Sequence, residues 1–436
     1  MRQYCLTVWK TSFRQFLIMT LVVITVPTLI AQASWAPASE PGVPVGRARI
    51  RPSIIHLSPD QQQQFKILQP HWLLSTTVMQ GVKWSVNGVP GGNAAIGTID
   101  SNGVYRAPEK APKPHELHIC ADANGAPNRY LRATVIIGNE PPTYKMVRDW
   151  GEQKDKLVHL KQPHGIVLDA GGNLIIMDEG NSHVLRYTPD GKFIGEVGLG
   201  PGDSESKRMP GGHFSLPRAA TIDAEGNIFV SDEATSERIQ VFSPDGKFLY
   251  RFGLKGNRPG MLLRPHGMQF DNKQRLFVAD VDNSRISVYD HSGKFLYSWG
   301  HGGLYPGELN PPHGLALDQN GDVFVNSFYG PAQKFTADGK FLLAFGYANP
   351  PDGGIIYHTL NGDRWGNIYL PMETLKSNPK NYVSILKYNN NGDFVTTLRL
   401  STADRHVSWV AVAKDGTVYA LYSGKTEVGV QVFKEQ

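Results

Sequence analysis

The chain has 436 residues, with 44 Lys and Arg against 39 Asp and Glu, 46 Gly, 30 Pro and only two Cys. A formal net charge of +5 spread along this length excludes the dense basic patterning of a nucleic-acid-binding or membrane-surface protein. Two cysteines exclude a disulfide-stapled scaffold, so stability must come from hydrophobic cores, and the Gly and Pro content fits an all-β chain with many turns.

Residues 1–33 read as a cleaved signal peptide. Arg2, Lys10 and Arg14 form a basic start, Phe16 to Ile30 is an apolar run, and Ala31-Gln32-Ala33 is a small-residue cleavage site. The run of 15 residues is shorter than the roughly 20 that a spanning helix needs. The expected location is therefore secreted or periplasmic, with no membrane span after cleavage and an uncleaved N-terminal anchor as the alternative. Cleavage leaves 41 basic against 39 acidic residues, and Cys120 as the one thiol.

Residues 34–47 are rich in Pro and Ala and read as a linker. Over 48–138, about seven short runs of alternating apolar residues predict a β-sandwich. Among them are Phe65-Lys66-Ile67-Leu68, Val82-Lys83-Trp84-Ser85-Val86 and Ala133-Thr134-Val135-Ile136-Ile137. Cys120 is expected as a small buried hydrophobe in this module. The stretch VKWSVNGVPGGNAAIGTIDSNGVYRAP resembles the bacterial immunoglobulin-like (Big_2-type) domains of exported proteins. That resemblance implies a core position for Trp84 and a spacing or presenting role.

From 144 to 436 the chain repeats. QPHGIVLDAGGNLIIMDEGNSHVLRYTPDGKFIGEVG, starting at Gln162, returns from Leu216, Arg264 and Pro311, with weaker copies near Tyr357 and Val407. A period of 45 to 54 residues holding four short β-runs predicts propeller blades, and the count is six. Tyr144 to Gly151 has the pattern of a blade's last strand, and the final blade stops after its third, so the N-terminal strand is expected to close the ring. The DxxGNxxVxD…NxRIxVF…GKF pattern resembles the NHL repeat family. Asp178, Asp232 and Asp280 recur at one point of the repeat and are expected to serve the blade's own hydrogen bonding.

One position just before each innermost strand differs in kind. It holds His164, Arg218, His266, His313, His358 and Ser408 in the six blades, and innermost strands surround the central channel. Four of the chain's 14 histidines should thus ring the channel mouth. Neutral imidazole is a common zinc ligand, and three such ligands leave a position open for water or substrate. His164, His266 and His358, from alternate blades, make the candidate metal set. The structural alternative is that each His caps its strand by bonding to a neighbouring blade. His313 is a fourth ligand, an acid or base, or a filler.

This constellation resembles peptidyl-α-hydroxyglycine α-amidating lyase. The resemblance implies a six-bladed propeller with an axial zinc held by His164, His266 and His358, with calcium or no ion as alternatives. It implies a catalytic role for Tyr329, seven residues into the second strand of blade four. The family's arginine does not carry over, since blade two has Glu233 at that place, and Arg218 is the candidate substitute for gripping a carboxylate. Tyr329 or His313 would be the general base. If the chain is an enzyme, it is a metal-dependent carbon–nitrogen lyase of the peptidylamidoglycolate type. The other reading is a rigid module binding a peptide, glycan or protein on the channel face through longer loops at 198–214 and 373–381. No nucleic acid is expected as partner, and a monomer is expected.

Overall fold

The computed structural model describes residues 49–436 apart from 71–75, 79–80, 123–130, 139–141, 151–159, 203–209, 234–237, 328–330, 347–353, 357–358, 375–382, 401–404 and 425–426. The signal-peptide and linker readings lie outside these residues. So do His358, Tyr329 and parts of both long loops. The described residues fall in one unit, Pro41–Gln436, and their ordered segments are almost wholly strands.

The N-terminal module is built from three small sheets packed on a single apolar core. Its longest strands, Glu116–Asp122 and Leu131–Ile137, pair antiparallel, and Lys83–Val86 and Ile54–Leu57 flank them. Phe65, Val86, Tyr105, Ile119 and Val135 are completely enclosed, and Trp84 lies in the same core. Cys120 is half-buried rather than enclosed.

Six sheets of the propeller follow, five with their strands in chain order and the sixth completed by the earlier strand Tyr144–Asp149. Blade one comprises Pro163–Leu168, Leu174–Asp178, His183–Tyr187 and Phe193–Glu196. A recurring Asp makes the hairpin between the first two strands. Asp169, Asp223, Asp271, Asp318 and Asp363 each accept the backbone N–H four residues on, at 2.7–3.0 Å. Such Asx bonding turns the chain without a long loop. It explains why the repeat carries Asp followed by Gly.

Each of the six remaining apolar cores lies between two neighbouring blades. Ile175, Met177, Val184, Ile228, Val230 and Phe242 fill the space between blades one and two. Leu174, Ile176, Leu185, Leu421 and Val430 fill that between blades one and six. A fully buried Phe or Leu stabilises by about 1.5–3 kcal/mol, so the wedge between blades is what holds them. The ring closes where Tyr144–Asp149 pairs antiparallel with Val428–Glu435. Asp149 accepts there from Tyr422 Oη at 3.0 Å and from Gln431 Nε2 at 2.7 Å.

The N-terminal module is docked on the blades rather than held off them. Glu116 forms a buried ion pair with Lys387 of blade five and accepts from Asn367 at 2.9 Å. Glu435 accepts the backbone N–H of His115 at 2.6 Å, and Arg132 donates to Gln319 of blade four. Burial would lower the Lys387 pKa, but Glu116, then Tyr144, Asp363 and Glu435, carry it well above its ordinary value. Lys387→Met should leave Glu116 buried without its counter-charge and lower the unfolding free energy by about 3–5 kcal/mol. The pair Glu116→Gln/Lys387→Met should recover much of this. Urea unfolding followed by tryptophan fluorescence would measure both, and equal losses in the two variants would show that the ion pair is not what fails.

Candidate functional site

The innermost strands begin Pro163, Leu216, Pro265, Pro312 and Arg405 in blades one to four and six. In each, the ladder register shifts just after its first pairs: between Pro163 and Gly165, Pro217 and Ala220, Pro265 and Met268, Pro312 and Leu315, and Val407 and Trp409. Proline cannot donate to the ladder, and a bulge re-aims the residue it contains. His164, Arg218, His266, His313 and Ser408 all sit in these irregular steps.

The glycine that follows three of the histidines has a steric reason. A Cβ on Gly165 would lie 2.4 Å from the Arg218 carbonyl, one on Gly267 2.5 Å from the His313 carbonyl, and one on Gly314 2.3 Å from the Leu360 nitrogen. Neighbouring innermost strands therefore touch through backbone. A second tie comes from the recurring Asp of the second strand. Asp178 accepts Lys161 N–H at 2.7 Å, Asp232 accepts Ser215 N–H at 2.9 Å, and Asp280 accepts Leu263 N–H at 2.7 Å. These carboxylates hold the segment entering each innermost strand, in keeping with the structural role expected for them. Burial pushes Asp178 up to about 6 against the hydrogen bonds it accepts.

Three of the predicted residues meet. The His266 and His313 ring centroids are 3.7 Å apart, His164 and His266 4.7 Å, and His164 and His313 6.3 Å. His266 and His313 are 1% and 2% exposed, and His164 is half-buried. Trp409 lies 6.0 Å from His164 and 6.1 Å from His266. Burial, then the neighbouring His313 and His164, push the His266 pKa well below its ordinary value. Its imidazole is neutral, the form that binds metals.

Arg218 lies beside them with its charge already matched. Its Nη1 donates to Glu179 at 2.6 Å and its Nε to Glu233 at 3.0 Å. The other Glu233 oxygen is 3.8 Å from His266 Nε2. Ser408 is buried with its hydroxyl 3.4 Å from that of Ser423. Tyr329 and His358 are outside the described residues.

The donor chemistry suits a zinc-type ion in one respect: His266 Nδ1 is buried without a hydrogen-bond partner among the described residues. In another it is incomplete. Among the described residues, no group of three or more His, Cys, Asp or Glu side chains is arranged to hold a metal ion.

Two features escaped the sequence reading. Glu179 bonds Arg218 across 39 residues, with no repeat pattern to announce it. Trp409 did leave a signal, because it stands where the other repeats have Gly165, Ala219, Gly267 and Gly314. A large side chain at a position otherwise kept small fills space on the axis.

Residues 220–302 match a family model described as a 6-bladed beta-propeller, and residues 160–187 match the NHL repeat. Over 163 residues the chain is 29% identical to peptidyl-glycine alpha-amidating monooxygenase B of Xenopus laevis, covering 35% of this chain and 17% of that protein. Over 123 residues it is 28% identical to peptidyl-alpha-hydroxyglycine alpha-amidating lyase 1 of Drosophila melanogaster, covering 28% and 21%. The chain thus spans about a fifth or less of the length of these relatives. A solved structure of a protein of unknown function from Bacteroides thetaiotaomicron matches with a TM-score of 0.51 and 14% identity, covering 93% of this chain and 100% of that one. That likeness concerns the fold alone.

The backbone contacts at the axis imply a mutational outcome. Gly267→Ala should force the innermost strands of blades three and four apart and cost about 1–3 kcal/mol of stability. Thermal unfolding would show this as a lowered midpoint, and an unchanged midpoint would mean that the strands separate freely.

Proposed function

We propose that the propeller works through its axial histidines as a zinc-dependent carbon–nitrogen lyase acting on a carbinolamide, the hydroxylated end of a peptide-like substrate. The observation that carries this reading is the convergence of His164, His266 and His313 from three blades, with His266 buried and neutral. The sequence similarity to amidating proteins supports it. His164, His266 and His358 would hold the ion, and when bound it would supply Lewis-acid polarisation of the substrate hydroxyl.

The chain's own groups then have separable tasks. Tyr329 or His313 takes the hydroxyl proton as general base. The oxygen electron pair forms the carbonyl as the C–N bond breaks, and the base returns the proton it took to the leaving amide nitrogen. Trp409 walls the histidines on the blade-six side and keeps water from that flank. Arg218 is held by two carboxylates, so it positions Glu233 against His266 instead of offering a whole charge to substrate. A carboxylate with this placement orients a ligand imidazole.

A second reading has its own observation. Leu199, Leu254, Leu304 and Tyr305 are 65, 68, 78 and 76% exposed in three successive loops between blades. These loops join an outermost strand to the next innermost one, so they lie at the histidine end of the blades. Parallel bridges Pro201–Phe214, Lys255–Leu262 and Gly302–Leu309 stiffen them. Such tips suit a module that grips a peptide, glycan or protein, with the N-terminal module as an immunoglobulin-like sandwich that mounts it and export directed by the first 33 residues.

Elemental analysis of the purified chain beside His164→Ala/His266→Ala separates the two. About one transition ion per chain, lost in the variant, is the expected result, with turnover of an α-hydroxyglycine peptide following. A wild type that retains no ion after zinc loading and buffer exchange would remove the lyase reading. Glu233→Gln is expected to weaken zinc affinity by roughly 10–100-fold, measured by competition with a chromophoric chelator. Unchanged affinity would leave Glu233 as a mere partner of Arg218.

A further inference from the structure

One cavity lies at the end of the blades away from the histidines. It measures about 400 Å³ and opens between the N-terminal module and blades five and six. The Asp363 and Ala413 turns that line it join first to second strands, so they lie at the opposite end of the innermost strands from the Pro-His steps. We propose that this cleft binds a small anionic ligand of monosaccharide size, bearing a carboxylate or a phosphate.

The inner wall holds three carboxylates, Glu116, Asp363 and Glu435, around one ammonium, Lys387. Glu116 is paired with Lys387, and Lys387 Nζ donates to Tyr144 Oη at 3.0 Å. Asp363 accepts Trp365 N–H at 2.8 Å and Asn367 N–H at 3.0 Å, and Glu435 accepts His115 N–H and Glu116 N–H. These carboxylates are committed to backbone and side-chain donors that hold the two walls in place. The His118 ring stacks on Trp365 at 4.7 Å, and burial holds its pKa at about 3, so it adds no charge.

The mouth is different. Lys113, Arg364, Lys414 and Lys434 are exposed there, against one exposed carboxylate, Asp415, which is 4.0 Å from Lys434. A concave site with an unbalanced cationic rim concentrates anions, and a guanidinium beside ammonium groups suits carboxylate and phosphate oxygens. The volume falls within the range of roughly 300–1,000 Å³ usual for small-molecule sites, which favour junctions between domains. The half-buried Trp365, with the Arg364 guanidinium 4.6 Å from its ring, supplies a stiff flank for the ligand's carbon skeleton. A bound anion would touch the N-terminal module and the propeller together.

Isothermal titration calorimetry at low salt tests this on the full chain with glucose 6-phosphate, glucuronate and neutral glucose. At least one of the two anions should bind while glucose does not. Binding of the phosphate alone, or of the uronate alone, supports the proposal and identifies the charged group. Lys414→Glu/Lys434→Glu should weaken binding by about tenfold or more, while Lys294→Glu/Lys340→Glu, exposed on blades three and four, should leave it unchanged. Should the first variant fail to fold, Lys113→Glu takes its place. Absence of binding by either anion would overturn the proposal, as would equal losses in the pocket and control variants, the mark of general electrostatic attraction.

Discussion

The pairing of residues 144–149 with 428–435 is the constraint on which the molecule depends. It gives the last blade its fourth strand and makes the first and last parts of the propeller neighbours. Without it, two sheet edges and an apolar interblade face would meet water, a costly and association-prone state. The same few residues secure the N-terminal module. Tyr144 reaches Lys387, Glu435 accepts His115 N–H, and Thr396 of blade five donates to the Pro142 carbonyl at 2.7 Å just before the closing strand. Ring closure and docking of the module are one structural event.

Closure brings the innermost strands so near the axis that the backbones of blades one and two, three and four, and four and five touch. Only glycine or alanine follows the axial residue in blades one to four, and the residue ahead of it escapes the ladder through a bulge. Side chains from distant parts of the sequence are forced together there, and the consequences are electrostatic. Burial and the crowded imidazoles push His266 well below its ordinary pKa. An arginine in the same ring needs two carboxylates to be tolerated.

The opposite end obeys a different rule. There the short first turns of the blades present charged tips, and the module brings its own charges to meet them. Inside that joint Glu116 is ion-paired with Lys387, and the exposed rim of Lys113, Arg364, Lys414 and Lys434 carries more positive than negative charge. The histidine end is nearly neutral and close to the axis, and the module end is charged and lateral. One scaffold thus offers two chemically unlike ends.

The all-β class, the six repeats, the closing strand and the clamp role of Asp178, Asp232 and Asp280 were legible in the amino-acid sequence. Of the six positions expected around the channel, His164, His266 and His313 meet, and His358 lies outside the described residues. These features recur with a fixed period and rest on bonds between residues few positions apart, so a linear pattern records them. The carboxylates around Arg218, the place of Trp409 beside the histidines and the docking of the N-terminal module required the tertiary structure. They join residues 39 to more than 250 positions apart, as Glu179 with Arg218 and Glu116 with Lys387 show. Each such contact occurs once, so no repeat announces it. Which charges are matched and which are left over is decided only when the ring has closed.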